Sequence, residues 1–389
     1  MMPGKFHIMV KPRGAICNLG CKYCYYLTKE SLYHESDFRM SEEILEEFTR
    51  QYITANSNAD EIVFSWQGGE PTLMGLDFFE KAVRFQSKYT RNGQNIQNTF
   101  QTNGIVLDDN WCQFFKANNF LVGLSVDGPS QLHDVYRLDK AGKPTFDRVM
   151  TGLEVLKKHK VPTNALTTVH AANAPQPLEV YHFLRDELGM EYIQFIPIVE
   201  LENQNGSRAR SRVTNRSVSP TQYGQFLTAV FDEWVHRDVG QVFVQIFDVA
   251  LASWLGQLGG LCIFSPTCGT ALALEHNGDV YSCDHFVDPK YLLGNLLQSE
   301  LSSLATSPAQ IKFGLDKKNK LPKNCLDCDF LFACHGGCPK NRFESSSDRK
   351  LNYLCKGYKM FFDHINEPMR IMAYLYRQNR APSDILNIL

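Results

Sequence analysis

The sequence predicts an α/β fold, a partial (β/α) barrel of six units followed by a smaller cysteine-rich domain. Three observations predict it. Through the first half of the chain, short β-branched or aromatic runs alternate with longer amphipathic runs, the pattern of βα units on a parallel sheet. Motifs that bear chemistry sit directly after candidate strands, where barrels of this kind carry their active sites. From Leu261 onward the texture changes, with eight of the twelve cysteines, two Asn/Gly turns and few long helices. Alternation by itself suits a doubly wound open sheet equally well.

In chain order the expected strands are His7–Lys11 (HIMVK), Glu61–Trp66 (EIVFSW), Gln97–Gln101 (QNTFQ), Leu121–Val126 (LVGLSV), Thr163–Val169 (TNALTTV) and Tyr192–Val199 (YIQFIPIV). Helices are expected near Ser41–Asn56, Gly75–Tyr89, Asp108–Asn118, Thr145–His159 and Pro177–Leu188. Ser207–Ser219, rich in Arg, Ser and Asn, reads as an exposed loop. A helix near Gln222–Arg237 and the apolar run Val242–Leu255 follow it. Ala271–Asp284 alternates apolar and polar residues about Asn277-Gly278, a strong hairpin signal. A boundary near residue 240 gives a core over residues 1–240, a cysteine-rich domain over 241–360 and a helical tail over 361–389.

Composition narrows the function. The chain is 43% hydrophobic and 21% charged, ordinary for an enzyme with a sizeable core. Its net charge of −2 points to neither nucleic acid nor an acidic membrane surface. No apolar run approaches the roughly 18 residues that cross a bilayer. Met1 to Lys11 is too short and too polar for a secretory signal, so a cytoplasmic protein is expected. Twelve cysteines in a reducing compartment suggest metal or redox work rather than disulfides.

Cys17, Cys21 and Cys24 form a Cys-x3-Cys-x2-Cys run directly after the first strand. Three thiolates at that spacing can hold three irons of a 4Fe–4S cubane and leave the fourth open to a small molecule. Zinc fits less well, since structural zinc takes four protein ligands at short paired spacings. Gln67-Gly68-Gly69-Glu70-Pro71-Thr72 follows the second strand, where glycines let backbone approach a ligand and Glu70 can accept from an ammonium group. Gln101-Thr102-Asn103-Gly104 and Ser125-Val126-Asp127-Gly128-Pro129 follow the third and fourth strands. A Gly-Gly after a strand is by itself more often a plain turn.

With these motifs the chain resembles the radical S-adenosylmethionine (SAM) enzymes, and among them the anaerobic sulfatase-maturating enzymes. The resemblance implies that the open iron binds SAM, and that its cleavage releases a 5′-deoxyadenosyl radical. It also implies SAM contacts at Tyr23, Gly68, Gly69, Glu70, Ser125, Arg137 and Val199.

The other cysteines are Cys112, in an expected helix and read as a core residue, and a set of eight: Cys262, Cys268, Cys283, Cys325, Cys328, Cys334, Cys338 and Cys355. Eight is four plus four, enough to ligate two further clusters completely. In isolation, Cys325-x2-Cys328 with Cys334-x3-Cys338 suits a tetrahedral zinc site as well. The spacing resembles the SPASM domain of peptide-modifying radical SAM enzymes. That resemblance assigns Cys262, Cys268, Cys283 and Cys338 to one auxiliary cluster and Cys325, Cys328, Cys334 and Cys355 to the other. Three 4Fe–4S clusters and SAM are thus the expected cofactors. The hairpin delivers Asp284 beside Cys283, a setting that suits a base removing a proton as an electron leaves. The family resemblance implies that Asp284 is the proton acceptor and places Tyr26 and Gln67 in the same cavity.

The expected activity is oxidation of a Cys or Ser in an unfolded sulfatase, within a Cys/Ser-x-Pro/Ala-x-Arg motif, to Cα-formylglycine. An electron donor such as flavodoxin or ferredoxin, and a monomer, are expected with it. Two other readings stand beside this one: a SPASM-type maturase forming thioether or carbon–carbon crosslinks, and a zinc- or cluster-binding interaction protein without turnover. Only sixteen residues precede Cys17, which disfavours maturases that carry a leader-binding domain there.

Overall fold

The computed structural model describes residues 6–34, 36–91, 93–202 and 212–389. Residues 207–211 of the expected exposed loop and residues 1–5 of the N-terminal stretch therefore lie outside the described residues. The strands are β1 (His7–Lys11), β2 (Glu61–Trp66), β3 (Asn95–Thr102), β4 (Phe120–Ser125), β5 (Thr163–Val169), β6 (Tyr192–Pro197), β7 (Phe243–Val244), β8 (Ala271–Glu275), β9 (Asp279–Tyr281), β10 (Leu292–Asn295), β11 (Arg342–Ser345) and β12 (Lys350–Asn352). The first six fall where sequence places them, with ends shifted by at most two residues. Two compact units result: Met1–Ser125 with Tyr136–Thr163 and Cys268–Leu315, and Val126–Val135 with Asn164–Thr267 and Asp316–Leu389.

In the first unit the strand order is β10-β9-β8-β1-β2-β3-β4. Strands β1 to β4 run parallel. β8 joins β1 in parallel register from His7↔Ala271 to Lys11↔Glu275, and β9 and β10 continue antiparallel. The Asn277-Gly278 turn is made as expected, with Gly278 at φ +90°. Helices Glu42–Ala55 and Asp109–Ala117 start where the side chains of Ser41 and Asp108 accept a backbone N–H of the first turn. Each such cap is worth about 1 kcal/mol. Beneath the sheet lies an aromatic core of Phe48, Phe64, Trp66, Phe79, Phe100 and Phe115. Cys112 is buried in it, a core residue as expected.

The second unit carries β5, β6 and β7 in parallel. Its longest helix, Pro220–Arg237, opens on a reciprocal cap between Ser219 and Gln222 with Pro220 in the first turn. The expected helix Pro177–Leu188 is regular only over Pro177–His182 and then widens over Phe183–Glu187, where Leu188 N–H donates to Phe183 O. The expectation of few long helices beyond Leu261 is corrected ahead of the tail, where helices span Pro308–Asn319 and Cys355–His364, while Asn366–Arg377 falls in the expected helical tail. Lys312, Lys317 and Lys318 break the apolar spacing of Pro308–Asn319, which weakens its helical signal in the sequence.

Candidate active site

The loop after β1 that carries Cys17, Cys21 and Cys24 is held by backbone from two sides. Gly69 N–H donates to Gly14 O at 2.7 Å, and Glu70 N–H donates to Ile16 O at 2.9 Å. On the other side Gly20 and Lys22 N–H donate to Leu138 and Tyr136 O, each at 2.9 Å. Gly69 admits no side chain, since a Cβ there would collide with the Ile16 carbonyl. The two glycines after β2 thus serve first a close approach to the cysteine loop itself. Leu19 N–H donates to Cys17 Sγ at 3.3 Å. Burial, followed by the Glu70 charge, nevertheless pushes the Cys17 thiol up to about 12. A thiolate there calls for a bound metal cation.

Glu70 is 1% exposed and engaged by protein donors. Its Oε1 accepts from Thr72 N–H (3.0 Å), Thr72 Oγ1 (2.7 Å) and Thr102 Oγ1 (2.8 Å), and its Oε2 accepts from Asn103 N–H (2.8 Å). The side chain expected to meet an ammonium group ties the loops after β2 and β3 together. Asn103 in turn donates to Asn18 Oδ1 at 2.7 Å, beside Cys17. Arg137 donates to the Tyr23 hydroxyl at 2.9 Å, which brings together two residues expected to bind SAM. Ser125 ends β4 in the first unit and is buried; Val199 is buried just past β6 in the second.

A second constellation surrounds Asp284, which is buried with Lys11, Tyr26 and Glu275, with the half-buried Tyr25 beside them. Lys11 forms an ion pair with Asp284 Oδ1, and the Tyr25 hydroxyl donates to Asp284 Oδ2. Lys11 also donates to Gln67 Oε1 at 3.4 Å and lies over the Tyr26 ring, 4.5 Å from its centre. The Tyr26 hydroxyl donates to Glu275 Oε1. Burial pushes the Asp284 carboxyl up, but the charges of Lys11 and His285 and the hydrogen bonds from Lys11 and Tyr25 outweigh it and hold it at about 2. Burial and the neighbouring Asp284 charge raise Tyr25, so its hydroxyl stays protonated and donates. The three expected cavity residues, Asp284, Tyr26 and Gln67, thus come together in one unit. Sequence reading missed Lys11, Tyr25 and Glu275. No signal in the sequence marked Lys11: its burial follows from β8 bordering β1, a pairing that the sequence does not carry, and a buried lysine must find a partner.

In the first unit, Cys268 N–H donates to Gly314 O at 3.1 Å, and Gly314 has no room for a Cβ against Cys268 O. Buried Gln310 donates to Gly269 O (3.0 Å) and Ser282 O (3.1 Å), next to Cys268 and Cys283. In the second unit, Lys317 donates to Cys262 O (2.7 Å) and Ile263 O (2.9 Å), and Asn352 donates to Cys338 O (3.1 Å). Cys325, Cys328, Cys334 and Cys355 line one cavity of about 30 Å³, with Phe330, Asn352 and Phe362 around them. Burial, then the neighbouring cysteines, push Cys334 up to about 12. Cys355 is among the residues lining this cavity and Cys338 is not.

Among the described residues no helix is long and apolar enough to cross a membrane. The radical SAM superfamily model matches residues 12–184, and an iron–sulfur cluster-binding (SPASM) domain matches residues 262–329. The serine-type anaerobic sulfatase-maturating enzyme of Bacteroides thetaiotaomicron is 47% identical over 98% of this chain and 95% of its own length. The cysteine-type enzyme of Clostridium perfringens is 33% identical over 92% of this chain and 95% of its own. Native anSMEcpe with bound AdoMet and Cp18Cys peptide superposes with a TM-score of 0.84 at 32% identity, covering 96% of this chain and all of that one.

Proposed function

We propose that this chain, which belongs to the anaerobic sulfatase-maturating enzymes, uses Asp284 as the proton acceptor when a sulfatase side chain is oxidised to Cα-formylglycine. The enzyme is a radical SAM oxidoreductase with 4Fe–4S clusters, and its substrate residue is a Cys or a Ser. Going from Cβ–OH or Cβ–SH to the aldehyde level removes one hydrogen atom, one electron and one proton. Bound SAM and the clusters supply the one-electron part, removal of the Cβ hydrogen atom and acceptance of the leftover electron. The proton is left to the protein. Asp284 is ionised and buried, directly after Cys283, and its two oxygens are steadied by Lys11 and Tyr25. That placement is the observation that carries the assignment. With Cys as substrate, the thioaldehyde formed then hydrolyses.

Cys17, Cys21 and Cys24 are the proposed ligands of the SAM-binding cluster. Cys325, Cys328, Cys334 and Cys355, which share one cavity, are those of an auxiliary cluster. The reading extends to serine as the preferred substrate residue, supported by 47% identity to a serine-type enzyme against 33% to a cysteine-type one. It also includes an unfolded sulfatase segment as partner, a flavodoxin- or ferredoxin-like electron donor, and a monomer working in the cytoplasm.

Asp284→Asn tests the assignment, because Asn is nearly isosteric but takes up no proton at neutral pH. The variant is assayed anaerobically with a Ser-x-Pro-x-Arg peptide and its Cys counterpart, and product is read by mass spectrometry. Iron content and 5′-deoxyadenosine formation should persist while formylglycine falls about 100-fold or more. Normal product with intact clusters would make Asp284 a structural residue.

A further inference from the structure

We propose that Lys11 is a positioning residue for the oxidation, one that sets Asp284 and Gln67 as a matched acceptor and donor for the reacting side chain. The inference rests on Asp284 being the proton acceptor. Lys11 closes β1, which is bordered by β2 on one edge and β8 on the other, and its side chain is buried. An ammonium group there must be fully partnered. Its partners come from three loops: Asp284 after β9, Gln67 after β2, and the ring of Tyr26 after β1. These are the three side chains that the family resemblance places in the substrate cavity, and one lysine touches all of them.

The chemistry of the contacts fixes orientation. An ammonium group only donates, so Gln67 must turn its carbonyl Oε1 toward Lys11 and its NH2 away. Asp284 receives Lys11 on Oδ1 and the Tyr25 hydroxyl on Oδ2, which pins the carboxylate plane and leaves the remaining lone pairs to face elsewhere. A substrate hydroxyl or thiol needs an acceptor for its proton and a donor for its lone pair. Asp284 offers the first and the Gln67 NH2 offers the second, and Lys11 sets both. Without it the amide is free to flip and the carboxylate to rotate. The radical would then still form but be spent on a badly oriented side chain.

The plainer account is that Lys11 only neutralises a buried carboxylate. A double-mutant cycle on the full-length, cluster-loaded enzyme separates the two. Lys11→Met, Asp284→Asn and the double variant are compared with wild type for 5′-deoxyadenosine formed per formylglycine, peptide KM and kcat, and thermal midpoint. Expected for Lys11→Met is wild-type iron content, a ratio of 5′-deoxyadenosine to formylglycine raised at least about 10-fold, and a fall mainly in kcat. The double variant should be no more uncoupled than Asp284→Asn, and its midpoint should recover relative to Lys11→Met. If Lys11→Met does not fold, Lys11→Gln, neutral but still able to donate, is read for the same ratio. Wild-type coupling in the folded lysine variant, with Asp284→Asn uncoupled, overturns the role of Lys11 and leaves that of Asp284 standing. Normal product from Asp284→Asn overturns both.

Discussion

Replacing Gly69 by Ala tests whether the loop after β2 is a brace for the cysteine loop. The backbone N–H of Gly69 reaches Gly14 O at 2.7 Å, and its neighbour Glu70 reaches Ile16 O at 2.9 Å. A methyl group at Gly69 would collide with the Ile16 carbonyl and lie 2.9 Å from the carbonyl carbon of Ala15. Backbone, unlike a side-chain tip, has no rotamer to yield. Overpacking of this kind costs about 1–3 kcal/mol. Losing the two hydrogen bonds adds about 1 kcal/mol each. The sum, about 3–5 kcal/mol, should lower the thermal midpoint on the order of 5–10 °C. Ile16 precedes Cys17, so the same displacement moves a proposed ligand: about four irons and SAM cleavage should be lost together. Gly142→Ala is the control. A Cβ at Gly142 meets nothing, and only its φ of +76° resists, a cost of about 1 kcal/mol. The reasoning fails if Gly69→Ala is no less stable than Gly142→Ala and keeps wild-type iron and SAM cleavage.

Replacing Cys17, Cys21 and Cys24 together by Ala should leave about eight irons per chain and abolish 5′-deoxyadenosine, measured by iron assay and chromatography; persistent deoxyadenosine would remove the open-iron assignment. Gln310→Leu strips the donor from half-buried Gly269 O and buried Ser282 O, at a cost of roughly 1–3 kcal/mol. Its thermal midpoint and iron content should fall while SAM cleavage persists; unchanged iron would mean that Cys268 and Cys283 do not depend on this tie.

Local signals in the sequence are strong where the chain is regular. The six strand runs and the helices between them are legible because β-branched and aromatic stretches there alternate with amphipathic ones and because caps such as Ser41 and Asp108 mark the starts. The Asn277-Gly278 turn is legible because few other dipeptides accept its geometry at so little cost. The cysteine spacings are legible because a cluster demands several thiolates from one short loop. What spacing does not carry is pairing at a distance. Nothing in ALALE names β1 as the neighbour of β8, some 260 residues earlier. Nor does Cys355 announce that it, rather than Cys338, shares a cavity with Cys325, Cys328 and Cys334.

That one long-range pairing decides the chemistry of the first unit. Parallel register sets Lys11 opposite Glu275, the last pair of the β1/β8 ladder. Beyond it the hairpin returns through β9, with Tyr281 opposite Ala273, and delivers Cys283 and Asp284 back to the end of β1. Side chains alternate between the two faces of a strand, so a slip of one residue would turn Glu275 and Lys11 to different faces. It would also carry Asp284 away from Lys11 and Tyr25. The burial of Ile8 and Val10 on β1 and of Leu272 and Leu274 on β8 resists such a slip, since each is fully enclosed and would be exposed by it. Apolar residues whose own role is packing thereby fix where the carboxylate stands. The ion pair, the tyrosine hydrogen bond and the orientation of Gln67 all follow from a register set by the core.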